Sequence, residues 1–211
     1  MDTEALLRLL VADKITGLKP DTAVRLALAG GTIIAGITFF VCIGFRADIA
    51  DAAQTAQFLA KFAVTMPAVI AAIIALPRFA QPSASVKRAS LALGISPLIL
   101  LLGVLVELAT VPSSLWTSKI IGNNASNCLI LIPMLSAGPL ICFLAAMRTG
   151  APTRPGAAGA LGGLAASGIA ATFYATNCTD DSALFVVTWY PLATTVVTTA
   201  GYTAGRKLLR W

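Results

Sequence analysis

The charged residues of this 211-residue chain are clustered, and six long windows between the clusters contain no charge at all. The windows cover residues 26–45, 62–77, 89–106, 120–147, 155–179 and 182–205. A helix needs about 20 apolar residues to cross the hydrocarbon core of a bilayer, with a range of about 17 to 25. Lys61 shortens the second window near one end only, where a lysine can extend its ammonium group to the lipid headgroups. The windows therefore predict an all-α membrane protein, a bundle of six transmembrane helices.

The predicted plan has three parts. A cytoplasmic segment, 1–23, carries a short amphipathic helix. The membrane domain covers 24–205, and a cytoplasmic tail covers 206–211. The helices of the membrane domain are expected near 24–45, 57–77, 89–109, 127–147, 156–175 and 183–205.

Composition excludes several functions. Hydrophobic residues make up 57% of the chain and charged residues 11%, against roughly 25% charged residues in soluble domains. The chain has no histidine, so it lacks the usual general base and the commonest metal ligand. We expect no enzyme activity, no cofactor and no constitutive metal site. The net charge of +6 does not indicate nucleic-acid binding, because no basic run is interleaved with aromatic residues.

Orientation follows from the lysines and arginines, which are in excess in cytoplasmic loops. With six helices, both termini and the two even-numbered loops share one side, and twelve of the 15 basic residues fall there. The other three are Arg46, Lys61 and Lys119. The sequence predicts a multi-pass membrane protein, in contact with lipid, with both termini in the cytoplasm.

The N-terminal segment carries an apolar stripe. Its members fall on one side of a helix: Leu6, Leu7, Leu10, Val11 and Ile15. A helix of about 15 residues is marginal alone in water, so the stripe requires a partner. Periodicity leaves two partners open, the membrane interface and the groove of another protein.

Two of the four cysteines are expected on the outer side. Cys128 begins the fourth helix and Cys178 lies in the fifth loop, whereas Cys42 and Cys142 are expected to be small buried apolar residues within their spans. In the oxidising envelope of a Gram-negative cell, the outer pair either forms a structural disulfide or reacts with oxidants and thiophilic metals. A permanent tetrahedral zinc site is not expected, since Asp180 and Asp181 are the only other ligands nearby.

Other features leave further alternatives. Few charges fall within the spans, which argues against an ion-coupled carrier, but a hydroxyl-rich sixth helix would suit a small transporter or channel. A membrane thiol oxidoreductase using the outer cysteines is the enzymatic alternative. Gly159, Gly163 and Ser167 recur at four-residue intervals and permit close helix packing, either within the bundle or in a homodimer.

One further pattern is a resemblance to a known family. The element CxDDSxxFxxTWY includes Cys178, Asp180, Asp181, Trp189 and Tyr190. Together with the stretches Gly122–Cys128, Ile132–Pro139 and Arg148–Pro155, it resembles the NrsF family of six-helix membrane anti-sigma factors, which act on extracytoplasmic-function (ECF) sigma factors.

The resemblance implies a stress switch in a bacterial inner membrane. The segment 1–23 would hold an ECF sigma factor on the cytoplasmic side through its apolar stripe. Cys128 and Cys178 would sense oxidants or heavy metals, binding a metal at most transiently, with Asp180, Asp181, Trp189 and Tyr190 as candidate supports of the sensor loop.

Overall fold

The computed structural model describes residues 18–79, 94–150 and 152–209. Six long helices form the bundle, and we label them α1 to α6 in chain order. They are Pro20–Cys42, Ala56–Phe79, Ile95–Thr110, Ala125–Met147, Pro155–Ala175 and Ala183–Leu208. Three shorter helical segments lie in the connections: Ile49–Ala52, Ser113–Leu115 and Trp116–Ile121. The described residues contain no strand, and the predicted all-α membrane fold is confirmed.

Five of the long helices are long and apolar enough to cross a membrane. The exception is α3, whose 16 residues span about 24 Å at 1.5 Å per residue. The part of the predicted third span before residue 94 lies outside the described residues. The number six therefore rests on five full-length candidates and one shorter apolar helix.

Two helices extend beyond their predicted ends. α1 begins at Pro20 rather than at 24, because proline is preorganised for a first helical turn and Asp21 there suits the helix dipole. α6 continues to Leu208, so Arg206 and Lys207, expected in the tail, form its last turn. Basic side chains stabilise that end of a helix.

The most buried long helix is α5, and its small residues explain why. A Cβ added at Gly163 would lie 2.7 Å from the carbonyl oxygen of Val197 on α6, and one at Gly205 would lie 2.8 Å from Cα of Gly159. Ser167 is fully buried. The four-residue pattern of α5 is thus used for packing within the chain, against a matching pair, Gly201 and Gly205, on α6.

We call the end of the bundle that contains residues 43–55, 111–124 and 176–182 the odd-loop end. Its core is a cluster that includes Phe39, Cys128, Tyr174, Cys178 and Phe185. A second cluster, around Leu76, Phe143 and Met147, fills the opposite end.

Candidate functional site

The fold brings Cys128 and Cys178 into one buried cluster, which we call the thiol cluster. Cys128 lies in the first turn of α4, and Cys178 follows the end of α5, where its N–H donates to the carbonyl of Tyr174 at 2.9 Å. Both side chains are fully buried free thiols, packed with Tyr174, Phe185 and Tyr190. The two outer cysteines of the sequence prediction therefore share one environment.

The environment of Cys178 does not activate its thiol. Burial raises the pKa of Cys178 above its ordinary value of 9.0, and this outweighs the opposing effect of the Lys61 cation. Reactive cysteines are usually exposed and electropositive, whereas buried ones are inert. The described residues contain no cluster of three or more cysteine or acidic ligands that could hold a metal ion. Reaction at this site thus requires the loop above it to open.

Asp181 carries an ion-pair network that ties the loop 176–182 to two other parts of the bundle. Its Oδ1 lies 2.5 Å from Nζ of Lys61 and its Oδ2 lies 2.9 Å from Nη1 of Arg46. Both cations also donate to the carbonyl of Cys178, at 2.9 and 3.3 Å. Lys61 is only 1% exposed, so the expectation that it extends to the headgroups is wrong. The carboxylate of Asp181 offsets the cost of burying the ammonium group.

Asp180 ties the same loop to the start of α4. Its Oδ2 accepts hydrogen bonds from the backbone N–H of Asn123 and Asn124 and from the Asn124 side chain, at 2.8 to 2.9 Å. Gly122 makes this approach possible: its φ is +58°, and a Cβ there would lie 2.8 Å from Cγ of Asp180. Asn124 in turn accepts the N–H of Cys128 at 2.8 Å. Asp180 thus connects the segments that carry the two cysteines.

Glu107 of α3 holds the beginning of α6. Its two carboxylate oxygens accept from the hydroxyl of Ser182 at 2.8 Å and from the N–H of Leu184 at 3.1 Å. Nζ of Lys119 lies 3.2 Å from the same carboxylate. A negative group is stabilised at a helix N-terminus. Glu107 therefore pairs with Lys119 and holds the first turn of α6.

The two aromatic residues of the sequence pattern have different positions. Trp189 donates its indole N–H to the carbonyl of Ile120 at 2.7 Å, which links α6 to the short helix before α4. Tyr190 is buried in the thiol cluster, and its hydroxyl has no hydrogen-bond partner among the described residues. Trp189 is thus a support of the odd-loop end, and Tyr190 is a wall of the thiol cluster.

Three expectations concern side chains outside this site. Cys42 is exposed at the end of α1 rather than buried. Of the threonines of α6, Thr188, Thr195 and Thr203 donate to carbonyls of their own helix, whereas the hydroxyl of Thr198 is buried without a partner among the described residues. The residues of the N-terminal stripe lie outside the described residues: Leu6, Leu7, Leu10, Val11 and Ile15.

Sequence reasoning missed the partners of the acidic groups. Each of the three basic residues on the expected outer side forms an ion pair in the structure: Arg46, Lys61 and Lys119. The sequence did contain a signal for these partners. Lysine and arginine are rare on the outer side, so the three that occur there could have been expected to pair with acidic groups.

The fold and site define a helical membrane protein in which a polar network closes one end of the bundle over two buried thiols. The family model described as NrsF, negative regulator of sigma F, matches residues 11–211. The chain therefore belongs to the NrsF family.

Two relatives match over their whole length. One is the probable anti-sigma-F factor NrsF of Azospira oryzae, 30% identical over 213 residues. The other is the anti-sigma-F factor NrsF of Caulobacter vibrioides, 30% identical over 216 residues. Both alignments cover 100% of this chain and 100% of the relative. No solved structure matches the chain.

Proposed function

We propose that this chain is a membrane anti-sigma factor that holds an ECF sigma factor at the cytoplasmic face of the inner membrane and releases it after Cys128 and Cys178 react. The observation that carries the proposal is the match to negative regulators of sigma F over residues 11–211. The relatives named anti-sigma-F factors support the same function over the full length. In this proposal the odd-loop end faces the outside and the segment 1–23 binds the sigma factor.

The contacts of the odd-loop end support a mechanism for release. Two and three residues after Cys178 the loop is attached to other helices, by Asp180 to the start of α4 and by Asp181 to α2. A group added to its fully buried sulfur has no free space, and overpacking a filled core costs about 1 to 3 kcal/mol. The modified state then favours an arrangement in which the loop has moved.

The same contacts give that movement a route across the membrane. A displaced loop pulls on Lys61 of α2 and on Asn124 at the start of α4, and both helices run to the opposite end of the bundle. A change of packing at that end alters how the segment 1–23 is presented to the sigma factor.

Replacing Leu7, Leu10 and Val11 with Asp tests the sigma-binding part. A charge forced into an apolar contact costs several kcal/mol per unpaired ion, so the sigma factor should no longer co-purify with the membrane protein. Asp substitutions at Ala5, Ala12 and Thr16, which fall on the opposite side of the predicted helix, are the matched control with the same change of charge. Equal recovery of the sigma factor with both triple variants, at equal membrane levels, would contradict this part of the proposal.

Serine at Cys128 or Cys178 tests the sensing part. If the thiols are reduced at rest, either variant should bind the sigma factor and fail to release it under oxidant or cadmium stress. Cys42→Ser and Cys142→Ser are the controls and should release it normally. Normal release by the double variant Cys128→Ser/Cys178→Ser would show that these thiols are not the sensor.

A further inference from the structure

The odd-loop end also contains a large cleft that the thiol site does not use. It has a volume of about 1170 Å³ and lies between α2, α3 and α6. Its upper rim is polar and includes Glu107, Lys119 and Asn123, whereas Val64, Leu100 and Leu102 line its lower part. The cleft is therefore polar at the odd-loop end and apolar toward the middle of the bundle.

A second cavity of about 200 Å³ continues the cleft toward the middle of the bundle. The two share Val64, Leu100 and Val186 as walls, and the smaller cavity extends to Pro97 and Leu164. Together they form one elongated space with a polar mouth and an apolar interior. A molecule that fits it has a polar head and an extended hydrocarbon chain.

The packing of α3 explains why the space exists. Ser96 is the only buried residue of α3, whereas Leu98, Leu102 and Leu105 are 67%, 63% and 55% exposed. In a membrane protein these side chains face hydrocarbon. The occupant of a cleft between such a helix and its neighbours comes from the bilayer.

Three carboxylates, Glu107, Asp180 and Asp181, and two ammonium groups, Lys61 and Lys119, lie at the rim, so the free donor capacity of each lysine decides where an anionic head group can bind. Both oxygens of Glu107 already accept hydrogen bonds, and Lys61 is buried against Asp181. The side chain of Lys119 is 39% exposed and contacts a single carboxylate, although an ammonium group has three donors. A phosphate complements this remaining capacity of Lys119.

We infer that the cleft between α2, α3 and α6 binds one phospholipid, with its phosphate at Lys119 and one acyl chain along the apolar walls. The head lies in the leaflet at the odd-loop end. The bound lipid touches Lys61, Asp181 and Ser182, so it forms part of the surroundings of the sensor loop. The inference concerns lipid binding alone and does not depend on the sigma factor.

Native mass spectrometry of the full chain, released into mild detergent from vesicles of phosphatidylethanolamine and phosphatidylglycerol, tests the inference. The wild type should keep one phospholipid that survives delipidation. Leu102→Trp fills the cleft and should abolish retention, whereas Leu101→Trp, on a neighbouring exposed position outside the cleft, should keep it. Lys119→Gln should weaken retention about twofold to fivefold, the effect of losing one partly exposed ion pair.

Ala60→Phe and Leu59→Phe repeat the comparison on α2, where Ala60 lines the cleft and Leu59 does not. The second pair decides the result if Leu102→Trp fails to fold. Complete loss of lipid from the wild type would overturn the inference. So would equal retention by the cleft and control variants, or retention only of a detergent molecule or fatty acid.

Discussion

The ammonium of Lys61 on α2 and the carboxylate of Asp181, far apart in the chain, meet at 2.5 Å beneath the odd-loop end. Lys61 is 1% exposed and the Asp181 side chain 21% exposed, so the pair belongs to the interior of the protein rather than to its surface. The same ammonium binds the carbonyl of Cys178. The position of the loop 176–182 is thus fixed by a cation that comes from another helix.

Asp181→Asn should destabilise the protein more than Lys61→Met. Asn leaves a buried ammonium without its anion, which typically costs about 3 to 5 kcal/mol, whereas after Lys61→Met the carboxylate keeps Arg46. The double variant should recover part of the loss. The unfolding midpoints of the variants, measured in detergent by the loss of helical circular dichroism, give their order of stability. Asp51→Asn, at an exposed position, is the control. Equal midpoints for Asp181→Asn and Asp51→Asn would show that the ion pair contributes nothing.

Asp180→Ala should loosen the connection between the two cysteine segments. It removes the acceptor of the backbone N–H groups of the exposed Asn123 and the half-buried Asn124, and a hydrogen bond of this kind contributes about 0.5 to 1.5 kcal/mol. We expect faster alkylation of both Cys128 and Cys178 by a small neutral reagent. Asp51→Ala removes an exposed carboxylate that is not part of the Asp180 and Asp181 contacts and should leave both rates unchanged. An unaltered rate in Asp180→Ala would contradict the described role of Asp180.

The alkylation rate of Cys178 should rise with pH throughout the range from 7 to 9. Burial raises the pKa of this thiol above 9.0, so below that value the reactive thiolate fraction grows about tenfold per pH unit. The measurement uses a variant in which the other three cysteines are serine. The exposed Cys42, left as the sole cysteine, provides the comparison. A rate for Cys178 that levels off near pH 7 would indicate a lowered pKa and contradict this prediction.

Gly163→Val should separate α5 from α6. The added side chain would meet the backbone of Val197 and Thr198 at 2.7 to 2.8 Å, and backbone cannot move aside as a flexible side chain can. Overpacking of this kind costs about 1 to 3 kcal/mol. Gly30→Val is the control, because a Cβ at Gly30 has nothing within 4 Å. Unfolding midpoints that fall equally in both variants would contradict the close contact.

The spans were predictable because the bilayer imposes a length and a polarity that can be read along the chain. The close α5–α6 contact was also anticipated in part, since the spacing of Gly159 and Gly163 is local. The pairing of Lys61 with Asp181 was not predictable, because it depends on how α2 packs beside the end of α5. Nor could spacing determine whether Cys178 is buried: a loop residue is usually exposed, and here Asp180 and Asp181 draw the loop onto the bundle.

The hydrogen bond from Trp189 to Ile120 has a photophysical consequence. An indole in a fixed, partly buried position emits at shorter wavelength than one in water, so opening of the odd-loop end would shift the emission of Trp189 to the red. Trp116 binds the carbonyl of Val111, five residues away in its own segment, and such a local contact persists when the helices separate. The chain thus contains an intrinsic fluorophore at the position where its conformational change is expected, and no dye needs to be attached.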